Sequence, residues 1–145
     1  MRKMIKNLFN PGNYPQNINT ALLLVRIIIG ILMLTHGSGK FTQLFAEGPI
    51  TFADPLGVGP TMSLALTVFA EIFCSLLLMF GLATRFAAAA LLFTMLIAAF
   101  VVHLHHGLQK QELALLYGTA YLAIAMSGAG KFSVDHQIYS RNRSA

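Results

Sequence analysis

Apolar residues in this chain gather into four long stretches, separated by short polar segments rich in glycine and proline. They run from Ile18 to His36, Thr61 to Gly81, Phe86 to His103 and Leu113 to Ser127. The first three reach the roughly 20 residues that a helix needs to cross a bilayer core, and the fourth could extend a turn at either end. Turn signals punctuate the gaps: His36-Gly37-Ser38-Gly39, then Asp54-Pro55 through Gly59-Pro60, Gly81, and Gly128-Ala129-Gly130. Only Gly81–Arg85 joins the second stretch to the third, which forces an antiparallel hairpin. The pattern predicts an all-α polytopic membrane protein, a four-transmembrane-helix bundle over residues 18–135. An N-terminal arm at residues 1–17 would lie in the cytoplasm or the interface, and residues 136–145 would form a cytoplasmic tail.

Composition supports this reading. Of 145 residues, 56% are hydrophobic and only 10% charged, whereas a typical soluble domain carries roughly 25% charged residues. A soluble fold of this size would need more polar surface. The net charge of +5 raises the question of nucleic acid. The Lys and Arg residues, however, sit at chain ends and in loops, without a basic stripe interleaved with aromatics, so nucleic-acid binding is set aside. A single cysteine, Cys74, excludes an intramolecular disulfide and argues against a dithiol oxidoreductase. The basic N-terminus runs into the polar stretch Asn10–Asn19 instead of an apolar region with a cleavage site, so it reads as a retained arm.

Counting Lys and Arg sets the expected orientation. With the N-terminus inside, Arg2, Lys3, Lys6, Arg85, Lys131, Arg141 and Arg143 are cytoplasmic, against Lys40 and Lys110 outside. Both termini should therefore be cytoplasmic. Residues 40–60 become an outer loop, in which Phe41–Phe45 could form a short interfacial helix. Gly30, Ser75, Gly118 and Ala120 are among the small residues that let membrane helices pack closely.

Charge inside apolar stretches is rare and usually faces a bundle interior. Arg26 and Glu71 are both so placed. Counted from the inner ends of their stretches at about 1.5 Å per residue, they share a depth. The expectation is a buried Arg–Glu polar centre, either a structural pair that specifies helix register or a catalytic one in which Glu71 titrates and Arg26 tunes it. A second group gathers at the outer side: His36 and Lys40, then His103, His105 and His106, then Glu112. His103 and His106, three apart, can point at one centre. Each residue alone could simply meet headgroups or helix dipoles; as a set they describe a polar outer pocket. No cysteine or repeated ligand spacing marks a zinc site. A haem between His36 and His103 or His106 has only geometry in its favour. Met79, Met95 and Met126 read as core-filling residues, and Cys74 as a buried thiol.

In order, these residues resemble the DoxX family of small four-helix bacterial inner-membrane proteins. The resemblance rests on Arg26, His36-Gly37 with Lys40, Ala70-Glu71, Gly81-Leu82-Ala83-Thr84-Arg85, Met95 through His103, Glu112 with Leu116-Tyr117, and Gly128-Ala129-Gly130-Lys131-Phe132-Ser133-Val134-Asp135. It covers roughly residues 21–135; His105 and His106 lie outside the shared pattern. The family includes a small subunit of a thiosulfate:quinone oxidoreductase and a membrane partner in an oxidative-stress complex. It therefore implies an inner-membrane subunit of a redox or oxidative-stress system, with quinone as the cofactor to consider ahead of haem. No residue marks a thiosulfate site.

The expected function is accordingly a membrane subunit of a quinone-linked redox system. Arg26 and Glu71 would be its catalytic centre, and His36, Lys40, His103 and Glu112 its cofactor-binding approach. Its partners would be the lipid bilayer, quinone, a soluble redox protein, and further copies or subunits of a complex. The alternative is a non-catalytic scaffold that recruits soluble redox enzymes through Arg85, Lys131 and Asp135. Transport would call for discontinuous helices at the midplane, which the sequence does not mark. The glycine-rich tail motif lacks the arrangement of a phosphate loop. It should end the fourth helix, with Asp135 capping the C-terminal segment and able to pair with Arg85.

Overall fold

A computed structural model describes residues 10–144 of the chain; Arg2, Lys3 and Lys6 of the charge count lie outside the described residues. All regular structure there is helical. Helix α1 spans Gln16–Leu44. Helix α2 spans Pro60–Phe80, with a π-helical turn at Phe69–Cys74. Helix α3 spans Thr84–Val102 and ends in a second π-helical turn, Ala98–Val102. A 3₁₀ turn at Leu104–His106 leads into α4, Leu108–Ser127, and α5 covers Val134–Ser144. Among the described residues three helices, α1 to α3, are long and apolar enough to cross a membrane. Helix α4 has 20 residues but opens with Lys110 and Glu112 in its first turns.

Helix α1 departs from the sequence expectation in length. At 29 residues it is about 43 Å long, more than the roughly 30 Å hydrocarbon core. It runs straight through the His36–Gly39 signal and absorbs the separate Phe41–Phe45 helix expected after it. Gly37 is there for close approach: a Cβ on it would lie 2.7 Å from Ile72 Cδ1 and 3.0 Å from Glu71 Cβ. The other helix ends follow their local chemistry. Pro60 opens α2 at a position where its missing N–H costs nothing. Asp54 braces that start, accepting hydrogen bonds from the Ser63 hydroxyl (2.6 Å) and from the N–H groups of Val58 and Gly59. The Ser63 bond, followed by those backbone bonds, holds the Asp54 carboxyl below the usual carboxylate range. Gly81 closes α2 in the left-handed conformation (φ 69°).

Packing proceeds in chain order. Helix α3 lies along α4 over most of its length and α1 against α2, whereas α1 and α4 barely touch. Met33, Cys74, Leu78, Leu91, Tyr121 and Ile124 fill the core. Met126 is exposed, against the expectation that it fills the core. The outer surfaces of the helices carry large apolar side chains, among them Leu24, Ile28, Phe73, Phe93 and Phe100. A soluble protein would not expose so continuous an apolar surface; in a bilayer it faces lipid.

The end of the bundle holding Pro11, Gly81 and Gly130 is knotted by polar contacts. Asp135 accepts the N–H groups of Ala83 (2.7 Å) and Thr84 (2.9 Å), capping the start of α3. Its own N–H donates to the Gly81 carbonyl. A negative charge at a helix N-terminus is also favoured by the dipole. Helix α5, which Asp135 was expected to cap, is capped instead by Ser133, whose Oγ accepts the His136 N–H. Nor does Asp135 pair with Arg85. The Arg85 guanidinium donates to the carbonyls of Ala125, Met126, Ser127 and Asn10, closing the open C-terminal turn of α4. Asn19 ties in the remaining strands of the knot: its side chain donates to Tyr14 and Pro15 and accepts the Lys131 N–H.

Candidate functional site

Arg26 and Glu71 occupy different ends of the bundle. Arg26, fully buried, donates from Nη2 to the Phe132 carbonyl at 2.5 Å, within electrostatic reach of Asp135. A Cβ on Gly81 would strike its Nη1. Arg26 is therefore level with the end of α2, ten residues from Glu71, or roughly 15 Å along the helix. The expected Arg26–Glu71 pair is corrected accordingly. The physical reason is stagger: α1 begins well beyond the end of α2, so depths counted from the two apolar ends do not coincide.

Glu71 pairs instead with Lys40, whose Nζ donates to Oε1 at 2.5 Å. The Glu71 side chain is 3% exposed and that of Lys40 31%. Glu71 Oε2 is buried and accepts no hydrogen bond from the protein. Position and sequence explain the pair together. The π-helical turn at Phe69–Cys74 re-aims Glu71, and Gly37 lets α1 close on that turn, one helical turn before Lys40. A π turn inside an α-helix is rare and frequent at functional sites. This bundle has one on each of two neighbouring helices.

Both turns border one cavity of about 130 Å³, lined by Met33, His36, Lys40, Glu71, Met95, Ala98, His103, Lys110, Leu113, Ala114 and Tyr117. His36, Lys40, Glu71 and His103, predicted from sequence, come together here. Glu112 does not; it is exposed on α4 and lines no part of the cavity. His106 sets its ring edge-on to His103 at 5.7 Å but is outside the lining. Among the described residues no three His, Cys, Asp or Glu side chains gather around a single point. Sequence reasoning missed Tyr117 and Lys110. Tyr117 is buried and meets the His36 ring edge-on at 5.7 Å. Its position in an apolar stretch reads as packing; its phenol, one stretch away from two histidines, was the available signal.

Chemically, the cavity offers a cation and a carboxylate already in contact, a second cation in Lys110, two imidazoles and a phenol, with Met33, Met95 and Ala98 as apolar walls. Lys40 can donate three hydrogen bonds and each imidazole can donate or accept. Only one carboxylate oxygen is engaged, so Glu71 retains an acceptor, or a proton site, towards a ligand.

Comparison with known proteins places the chain. The DoxX family model matches residues 21–104, more than half of its length. A Haemophilus influenzae protein named "Uncharacterized protein" is 34% identical over 128 residues, covering 83% of this chain and 92% of its own. The Escherichia coli "Inner membrane protein YqjF" is 29% identical over 121 residues, covering 81% and 91%. The Bacillus subtilis "Putative oxidoreductase CatD" is 32% identical over 108 residues, covering 72% and 78%. No solved structure matches. The chain belongs to the DoxX family and is a membrane protein.

Proposed function

We propose that this chain is an inner-membrane subunit of a redox system and that its cavity binds the ring of a quinone. The observation that carries the reading is a buried carboxylate with one unengaged oxygen, ion-paired to Lys40 on the wall of a ring-sized cavity that His36, His103 and Tyr117 also line. A protein cavity of roughly 150 Å³ accommodates benzene, and this one measures about 130 Å³ and is open on one side. Quinone reduction takes two electrons and two protons to give the quinol. A soluble redox partner would supply the electrons. The chain would supply hydrogen bonds to the ring oxygens from Lys40 and an imidazole, with Glu71 within reach to pass protons. One relative's name contains the word oxidoreductase, which points in the same direction. By the charge bias of the sequence, four spans with both termini in the cytoplasm would put this cavity on the outer side.

In this reading Arg26 is not at the reacting centre but positions the knotted end. The scaffold alternative relied on Arg85, Lys131 and Asp135; the polar atoms of Arg85 and Asp135 are engaged within the fold, whereas Lys131 is exposed. The test is a reduced-minus-oxidised ultraviolet–visible spectrum of gently purified protein, with added benzoquinone binding measured alongside. Glu71→Gln and His36→Ala should each remove the quinone signal and weaken binding at least tenfold, a loss of about 1.4 kcal/mol. Unchanged binding in both variants overturns the reading.

A further inference from the structure

Although α1 packs on α2, and α3 on α4, the seam between α1 and α4 is left open. An apolar groove of about 320 Å³ runs along it, with Val25, Ile28 and Leu32 on one wall and Leu113, Leu116 and Ala120 on the other. From Val25 to Leu32 it extends about 10 Å. The groove is not separate from the polar cavity: Leu113 and Tyr117 line both. Leu116, 68% exposed, stands at its outer rim, where the bilayer would be.

We infer that the ligand of the polar cavity is a lipid-tailed amphiphile that enters sideways from the bilayer through the α1–α4 seam and leaves its tail lying there. The occupant is the ligand's own apolar chain, because a groove that shares two residues with the ring cavity can hold the two halves of one molecule. Tyr117 marks the junction: its ring meets His36 on the polar side and stacks on Tyr121, and the same residue lines the apolar groove with Val25, Ile28 and Leu32. Entry by this route explains why the two helices that bracket the cavity are not packed together. The inference rests on the quinone reading of the cavity and goes beyond it by assigning the tail site and the path.

The chain has no tryptophan, so a single one can report. Leu116→Trp places it on the groove rim, and Phe73→Trp places a control on the lipid-facing side of α2. Each is reconstituted in phosphatidylcholine nanodiscs and titrated with a decyl-tailed benzoquinone and with the same ring lacking the tail, at equal mole fraction in the bilayer. Decyl quinone should quench Leu116→Trp saturably and leave Phe73→Trp with only linear, collisional quenching. The tail should tighten binding about fivefold by packing alone. Filling the groove with Ala120→Leu should weaken the tailed quinone about tenfold and leave the tail-less one unchanged. Val25→Phe repeats this from the opposite wall should Ala120→Leu fold poorly. Equal binding of both quinones, unaffected by either groove variant, overturns the tail site and leaves the cavity reading standing. Linear quenching at both reporters with the tail-less ring still bound does the same. Failure of both quinones to bind the wild-type protein removes the cavity reading and this inference with it.

Discussion

At the knotted end, Arg26 and Asp135 are buried and hold backbone; at the cavity end, Glu71 and Lys40 hold each other beside open space. Asp135 joins α3, α5 and the Gly81 turn through three hydrogen bonds, and Arg85 closes the last turn of α4. Asp135 and Arg85 thus commit those atoms to backbone, while Arg26, fully buried in the knot, keeps Nε and Nη1 without a hydrogen-bond partner. Glu71 also has an oxygen unengaged, but it lines an open cavity and its cation is a third exposed. Buried charge alone does not identify a working site in a membrane bundle. Charge whose hydrogen bonds go to helix ends organises the fold, and charge that keeps capacity beside a cavity is available for chemistry.

The largest effects should break the knot. Asp135→Ala leaves the N–H groups of Ala83 and Thr84 uncapped and removes a negative charge near Arg26, and should destabilise the protein by about 2–5 kcal/mol. Reversible unfolding in mixed micelles measures this; a change within about 0.5 kcal/mol, typical of a surface site, would remove the structural role argued for the knot. Gly81→Ala should fail similarly, because its φ of 69° favours glycine and a Cβ would collide with Arg26 Nη1. Arg85→Ala comes next, at about 1–3 kcal/mol for the α4 carbonyls it leaves unsatisfied. Amide exchange in the last turn of α4 should quicken more than in α2.

The cavity end should respond in the opposite way. Glu71→Gln keeps size and shape, and the freed Lys40 ammonium can turn towards solvent. Stability should fall by about 1–2 kcal/mol, less than for Asp135→Ala, because the amide leaves no buried charge and Lys40 is a third exposed, while quinone binding falls. A Glu71→Gln protein that unfolds as readily as Asp135→Ala would erase the distinction between the two ends.

Much of this was legible in the sequence. Gly81, Pro60 and Gly128 marked helix ends because backbone geometry demands those residues there. His36, Lys40 and His103 met as expected because three connected helices return their ends to one side. What misled was depth. Apolar stretches report where lipid is, not where helices stop, and α1 continues through Gly37 to Leu44 because Gly37 packs on Ile72. That continuation carries Lys40 to Glu71 and leaves Arg26 at the opposite end. Polar partners supplied by loops, such as Asn19 to Lys131 or Asp135 to Ala83, have no sequence period that could announce them.

The smallest expected effect is a pH response confined to the cavity end. Asp54 sits in the loop ahead of α2, and its carboxyl is held below the ordinary range first by the Ser63 hydroxyl and then by backbone N–H groups. A folded-state value below the unfolded one means that the contribution is fully present above the unfolded carboxylate range. It is lost as pH falls through the depressed folded value. Acidification should therefore loosen the loop ahead of Pro60, read as faster amide exchange at Val58 and Gly59 after correction for intrinsic rates. Asp54→Asn should abolish that pH dependence without disturbing the knot, since none of its bonds reaches that end. Acid loosening that persists in Asp54→Asn would locate the titrating group elsewhere, and loosening that begins at Ala83 and Thr84 would make the knot, not the loop, the acid-sensitive end.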